Sequence, residues 1–225
     1  MTRSTLGNLT RSPWPALLGA ALLPVLAAPA AAQERLAVER VGPSVTIDGF
    51  RSLAWGTTET EIVELLGEPL ERRQLDSGLR LLAYRDSLVG HPSLLLFGLL
   101  EGDGLAKAQE VIGVEPGDAC IATIREIHHQ VDLQYPLIRP RAQAKNNTPG
   151  TVCDAAPQGL AYWHRQWRDE ETGSVVTVSL TSGSDEIDLI YESGRFREWT
   201  AARGGDETPI VEDDGSPDAV LQAQP

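Results

Sequence analysis

"GTTETEIVELLGEP", Gly56 to Pro69, reads as a complete helix with its start and stop signals attached. Thr58 and Glu61 have the spacing of a capping box, in which hydroxyl and carboxylate satisfy two backbone N–H groups left without partners at a helix start. Ile62, Leu65 and Leu66 give one apolar face at helical spacing. Gly67 stands where a left-handed residue ends a helix, and Pro69 forbids continuation. Glu59, Glu61 and Glu64 are explained by capping, the helix dipole and solvation.

Outward from this helix the period changes from helical to alternating. Leu79–Tyr84, Ser93–Leu100 and Leu105–Val114 are strand-like runs, punctuated by turn residues at Gly90-His91-Pro92 and Gly102-Asp103-Gly104. "SLLLFGLL" (Ser93–Leu100) is apolar on both faces, which suits a central strand covered on both sides or nearly so. A second helix begins near Asp118, with Cys120, Ile124, Ile127 and Val131 as its buried stripe. A Pro-rich segment without regular structure is expected from Pro136 to Gly159, and three more strands at Leu160–Arg168, Ser174–Leu180 and Glu186–Tyr191. The order helix, strand, strand, strand thus occurs twice. The expected fold is α+β, two tandem units of one helix packed on an antiparallel three-stranded sheet, able to lie side by side as one curved sheet.

Residues 1–32 stand outside that fold. Arg3 and Arg11, the apolar run Pro15–Ala30 and the small residues Ala30-Ala31-Ala32 form the pattern of a secretory signal cleaved near Ala32. That run is too short and too rich in Ala and Pro to span a bilayer, and no Cys near the cleavage point offers a lipid anchor. The expected product is periplasmic or secreted. The first unit is expected over residues 33–115 and the second over 116–200. From residue 201 to 225 an acidic, Gly- and Pro-containing stretch without aromatics has too little apolar surface to order itself, so a disordered tail is expected.

Removal of residues 1–32 takes away two of 19 basic residues and none of 32 acidic ones, leaving a net charge of −15. Nucleic acid and anionic membrane surfaces, which need a basic footprint, are excluded as expected partners. Cys120 and Cys153 are an even pair in a chain expected in an oxidising compartment, so a structural disulfide is expected.

The segments quoted above carry a resemblance. Gly56–Pro69, then a run ending in Tyr84, then "LLLFGLLEGDGL" (Leu94–Leu105) resemble the G-x-T/S-xx-E-V-xx-LLG-x-P…Y…F-x-F…DG-x-L pattern of the SmpA/OmlA group of small bacterial envelope proteins. That group includes the small lipoprotein of the outer-membrane β-barrel assembly machine, and β-lactamase inhibitor protein has a related fold. The match covers mainly residues 50–110. The resemblance implies a non-enzymatic protein that binds other proteins across an open sheet face.

Chemistry-bearing residues are sparse. His128-His129 on the second helix point about 100° apart and cannot converge on one ion, so both are expected to face solvent. His91 falls in a turn and His164 in a strand. No G-x-S-x-G elbow is present, and Asp169-Glu170-Glu171 reads as a solvated hairpin end. No catalytic residue, metal ligand or cofactor is expected. In "AYWHRQW", Trp163, Arg165 and Trp167 share one strand face while Tyr162 and His164 take the other. Two Trp flanking an Arg have the composition of a partner-binding hot spot, and the alternative is a core face beneath the second helix. Arg139, Arg141 and Lys145 form the local basic cluster, a hydrated loop or a site for an acidic partner.

The expected function is a non-catalytic exported module that binds an envelope protein, with Trp163, Arg165 and Trp167 as anchors. The alternatives are a small-ligand or glycan sensor stacking sugars on the same aromatics, and an unrecognised hydrolase. Salt separates the first two, because a charged protein partner weakens at high salt while ring stacking barely responds.

Overall fold

The computed structural model describes residues 45–146 and 151–204. The signal segment expected over residues 1–32 lies outside the described residues, as does the part beyond residue 204 of the tail expected over 201–225.

The opening helix, α1 (Glu59–Leu66), forms as its sequence dictates. Thr58 accepts a bond from the Glu61 N–H, and the Glu61 carboxylate accepts from the Thr58 N–H at 2.8 Å, completing the capping box. A short hairpin precedes it, β1 (Gly49–Phe50) and β2 (Leu53–Ala54). After it run β3 (Glu71–Gln74), β4 (Arg80–Leu88), β5 (His91–Leu100) and β6 (Gly104–Gly113), then α2 (Asp118–Gln134). The chain continues through β7 (Pro140–Asn146), the single turn α3 (Val152–Ala155), β8 (Ala161–Arg168), β9 (Val175–Leu180), β10 (Glu186–Glu192) and α4 (Gly194–Ala201).

Eight strands form one antiparallel sheet in the order β3-β4-β5-β6-β10-β9-β8-β7. This corrects the expected α+β pair of units, each one helix on three strands: the described residues are mostly β, with a two-stranded hairpin and four helices added to one sheet. Each run of strands has a fourth member at the sheet's edge that the apolar pattern does not reveal. "ERRQ" and "PRAQAKN" are polar, and pairing with β4 and β8 makes them strands. Charged residues on both edges disfavour pairing with a further chain. β6 and β10 join the halves, Ala108 facing Tyr191 and Ile112 facing Ile187.

One face of the sheet carries the main core. Ile62 of α1, the α2 stripe Cys120, Ile124, Ile127 and Val131, and Val152 and Ala155 of α3 pack on Leu82, Phe97, Ala108, Val178, Leu189 and Trp163. The Cys120–Cys153 disulfide ties α3 to the first turn of α2. The Pro136–Gly159 segment is therefore not structureless, since it holds β7 and α3. Phe50 enters the same core edge-on to Phe97 and Tyr191, at 5.9 and 5.1 Å.

The two ends of the motif quoted above meet in space. Gly56 N–H donates to the Leu105 carbonyl at 2.9 Å, and Leu105 N–H donates to that of Thr57 at 2.8 Å. Gly104 has φ +69°, and a Cβ there would stand 2.3 Å from the Gly56 oxygen, so no side chain fits. This part of the pattern builds the fold.

Candidate functional site

The opposite face of the sheet is the candidate site. α4 covers one end of it, where Phe196 packs on Leu79, Leu100 and Ala106 and Trp199 packs beside them. Across the rest, strand alternation presents a row of side chains that no described helix covers. β4, β5 and β6 contribute Ala83, Leu94, Leu96 and Val111, adjacent by register: Ala83 faces Leu96, and Leu94 faces Val111. Leu94 is 41 % exposed. The pattern "SLLLFGLL" led to the expectation of cover on both faces. Only its Leu100 end has that cover, and Leu94 and Leu96 were therefore missed as surface residues.

The other half of this face is polar. Gln143 of β7, His164 of β8, Ser179 of β9 and Asp188 of β10 stand in one cross-strand row. Gln109 donates to Asp188 at 2.8 Å and Gln166 to Thr177 at 3.3 Å. Burial raises the Asp188 carboxyl and lowers the His164 imidazolium, each away from its ordinary value. Arg141 and Lys145 of β7 and Arg168 of β8 share this face, and neither strand carries an acidic residue. Tyr162 stacks on His164 at 6.0 Å.

The expected anchors lie elsewhere. Trp163, Arg165 and Trp167 do share one face, but it is the core face: both indoles are 0 % exposed beneath α2. Trp167 Nε1 donates to Asp132 at 2.8 Å, and Arg165 pairs with Asp132 at 3.7 Å and lies 5.3 Å from the Trp167 ring. The two indoles have no surface with which to anchor a partner, and Arg165 is held beside Asp132 and the Trp167 ring, so the expected hot spot does not form. Two large apolar rings at alternate strand positions find more to bury under a helix than at a surface.

His128 is the second correction. It is buried against Trp163, with ring centroids 4.6 Å apart, while His129 faces solvent. Arg165 Nη1 donates to its Nδ1 at 3.5 Å. Burial, with the Arg165 charge beside it, drives the His128 pKa down to about 3. His91 stands at the start of β5, with its Nε2 3.2 Å from the Thr123 hydroxyl. Asp169 is not a solvated hairpin end: it is buried and accepts from the Ile47 N–H at 2.9 Å and the Thr172 hydroxyl at 2.7 Å.

A charged cluster that the sequence did not disclose lies on the core face. Arg51, in the turn of the β1–β2 hairpin with φ +54°, donates to Asp86 at 2.6 Å and to Glu110 at 2.8 Å. The Ser93 hydroxyl donates to Glu110 at 3.2 Å. Burial, opposed by the Arg51 charge, raises the Glu110 carboxyl to about 7. Glu110 is 0 % exposed, so no substrate reaches it in this conformation, and the cluster clasps the hairpin to the sheet. Among the described residues no group of His, Cys, Asp and Glu is placed to hold a metal ion, and no helix is long and apolar enough to cross a membrane.

Compared with protein-family models, with curated proteins and with solved structures, the chain matches none.

Proposed function

We propose that this chain is a non-catalytic exported module that captures another protein of the cell envelope on the open face of its sheet. The observation that carries the reading is the adjacent set Ala83, Leu94, Leu96 and Val111, apolar side chains on three paired strands with no described helix over them. An apolar centre with polar and charged groups beside it is the make-up of a protein-binding patch. The disulfide suits an oxidising compartment, and the resemblance of residues 50–110 to envelope proteins that bind through such a face agrees with it. A glycan sensor would have stacked its sugar on Trp163 and Trp167, which are buried.

A photo-reactive residue placed in turn at Leu94, Val111 and the exposed Gln130 of α2 tests this in intact cells. The reading expects the same protein adduct from positions 94 and 111 and none from 130. Adducts from position 130 alone, or identical adducts from all three, would refute it.

A further inference from the structure

α4 shows what this face of the sheet accepts. Its first residue, Gly194, lies against the β8–β9 turn, where a Cβ would stand 2.3 Å from the Thr172 oxygen. The Ser193 N–H donates to the Ala106 carbonyl of β6 at 2.9 Å, and Phe196 packs on Leu79 and on Leu100 of β5. The helix therefore crosses the strands, running from the β10 side toward β4. Packed helices lie about 8–10 Å apart, and a strand rises about 3.4 Å per residue. A second crosswise helix beside α4 thus falls about three residues further along the strands. That lane holds Ala83 and Leu96, paired across β4 and β5, and then the row Arg85, Leu94, Val111 and Asp188, paired across β4, β5, β6 and β10.

The two ends of that row carry opposite charges. Arg85 is exposed at the β4 end, and Asp188, which accepts from Gln109 at 2.8 Å, stands at the β10 end. They are three strand spacings apart, about 14 Å at about 4.8 Å each, the length of about nine helical residues. The Lys107–Glu192 pair that borders the lane, at 3.5 Å, neutralises itself. A helix carries partial positive charge at its N-terminus and partial negative charge at its C-terminus. We propose that the captured protein presents an amphipathic helix that lies crosswise beside α4 and parallel to it. Its apolar stripe rests on Leu94, Leu96 and Val111, its N-terminal end stands over Asp188 and its C-terminal end over Arg85. This rests on the capture reading and adds the form and direction of the partner's contact. Ala83 beside Leu96 leaves room for a large side chain of that helix, as Ala106 does for Phe196 under α4. The charged edge strands β3 and β7 disfavour a partner that adds a strand instead.

The test places a photo-reactive residue in turn at Ala83, Leu96 and Ile190 of the full chain, with Arg85 and Asp188 intact, and sequences the adducts formed in intact cells. Ala83 and Ile190 share one cross-strand row and mark the β4 and β10 ends of the lane. The proposal expects all three adducts in one segment of one protein. The residue joined to position 190 should precede the one joined to position 83 by about nine, with position 96 joined between them. An extended segment would give a separation of about four, and a helix of opposite direction the reverse order. Either result overturns the proposal and leaves capture standing. Adducts scattered over several segments, adducts to a second copy of this chain, or none from these positions while 94 and 111 react overturn it likewise. Loss of adducts from 94 and 111 as well refutes the capture reading itself, and the helix with it. Arg85→Gln and Asp188→Asn should each lower the adduct yield from position 96 by about two- to fivefold at an unchanged thermal midpoint. Unchanged yields would overturn the assigned direction.

Discussion

Two buried side chains make the protein's stability respond to pH in opposite senses. Glu110 is raised to about 7 by burial, so between its ordinary value near 4.5 and 7 the native state holds a proton that the unfolded chain has released. Its contribution is complete below pH 4.5 and falls as pH rises through 7, by up to about 3 kcal/mol. His128 is lowered to about 3 from 6.5, so its contribution is complete above pH 6.5 and falls by about 4 kcal/mol as pH drops to 3. The two slopes offset between pH 4.5 and 6.5, and urea midpoints should change little there. Glu110→Gln should flatten the alkaline side of that profile and His128→Leu the acid side; a variant profile parallel to the wild type would refute the assignment. Trp163→Ala should cost roughly 3–5 kcal/mol, the usual loss for emptying a core aromatic site. A loss under 1 kcal/mol would return that residue to the surface. Part of this was legible. Ala108, Glu110 and Ile112 alternate along β6, so Glu110 falls on the core face by pattern alone. Its partner Arg51 is 59 residues away in a hairpin too short to announce itself, and nothing local to either residue points to the other.

At the scale of the elements, what is locally determined could be read. α1 carries its own cap, its apolar face and its terminator, and α2 its stripe, so both were legible. β3 and β7 were not, because an edge strand needs only one partner and no apolar face; their strand character comes from β4 and β8. α4 was hidden for a similar reason, a short polar helix whose Ser193 cap and Phe196 contact matter only once the sheet end is there to receive it. Contacts between distant elements predict the largest element-scale effects. Gly104→Ala would press a methyl group into the Gly56 carbonyl while holding a positive φ, and should cost about 2 kcal/mol or more. Unchanged thermal unfolding would show that the turn relaxes. The Cys120–Cys153 bridge spans a separation of 33 residues, and Cys120→Ala/Cys153→Ala should lower stability by about 3–4 kcal/mol. Protease nicking should then appear first between Pro136 and Gly159.

At the scale of the whole molecule, the sheet has one face covered by α1, α2 and α3 and another that, among the described residues, α4 covers at one end. The helical face takes up both Trp of β8, His128 and the Arg51 clasp, which leaves the open face as the surface with a composition to explain. Its apolar set comes from three strands and its basic strip from two others, so neither patch exists in any contiguous stretch of sequence. The proposed docking of a protein on the apolar set can be tested by a single comparison. Wild type and the Leu94→Arg/Val111→Arg variant would be measured side by side for thermal midpoint and for capture of the cross-linked envelope protein. A midpoint within a few degrees of wild type and loss of most of the captured partner are expected, because both side chains lie on the face that no described helix covers there. Full capture by a well-folded variant would contradict it.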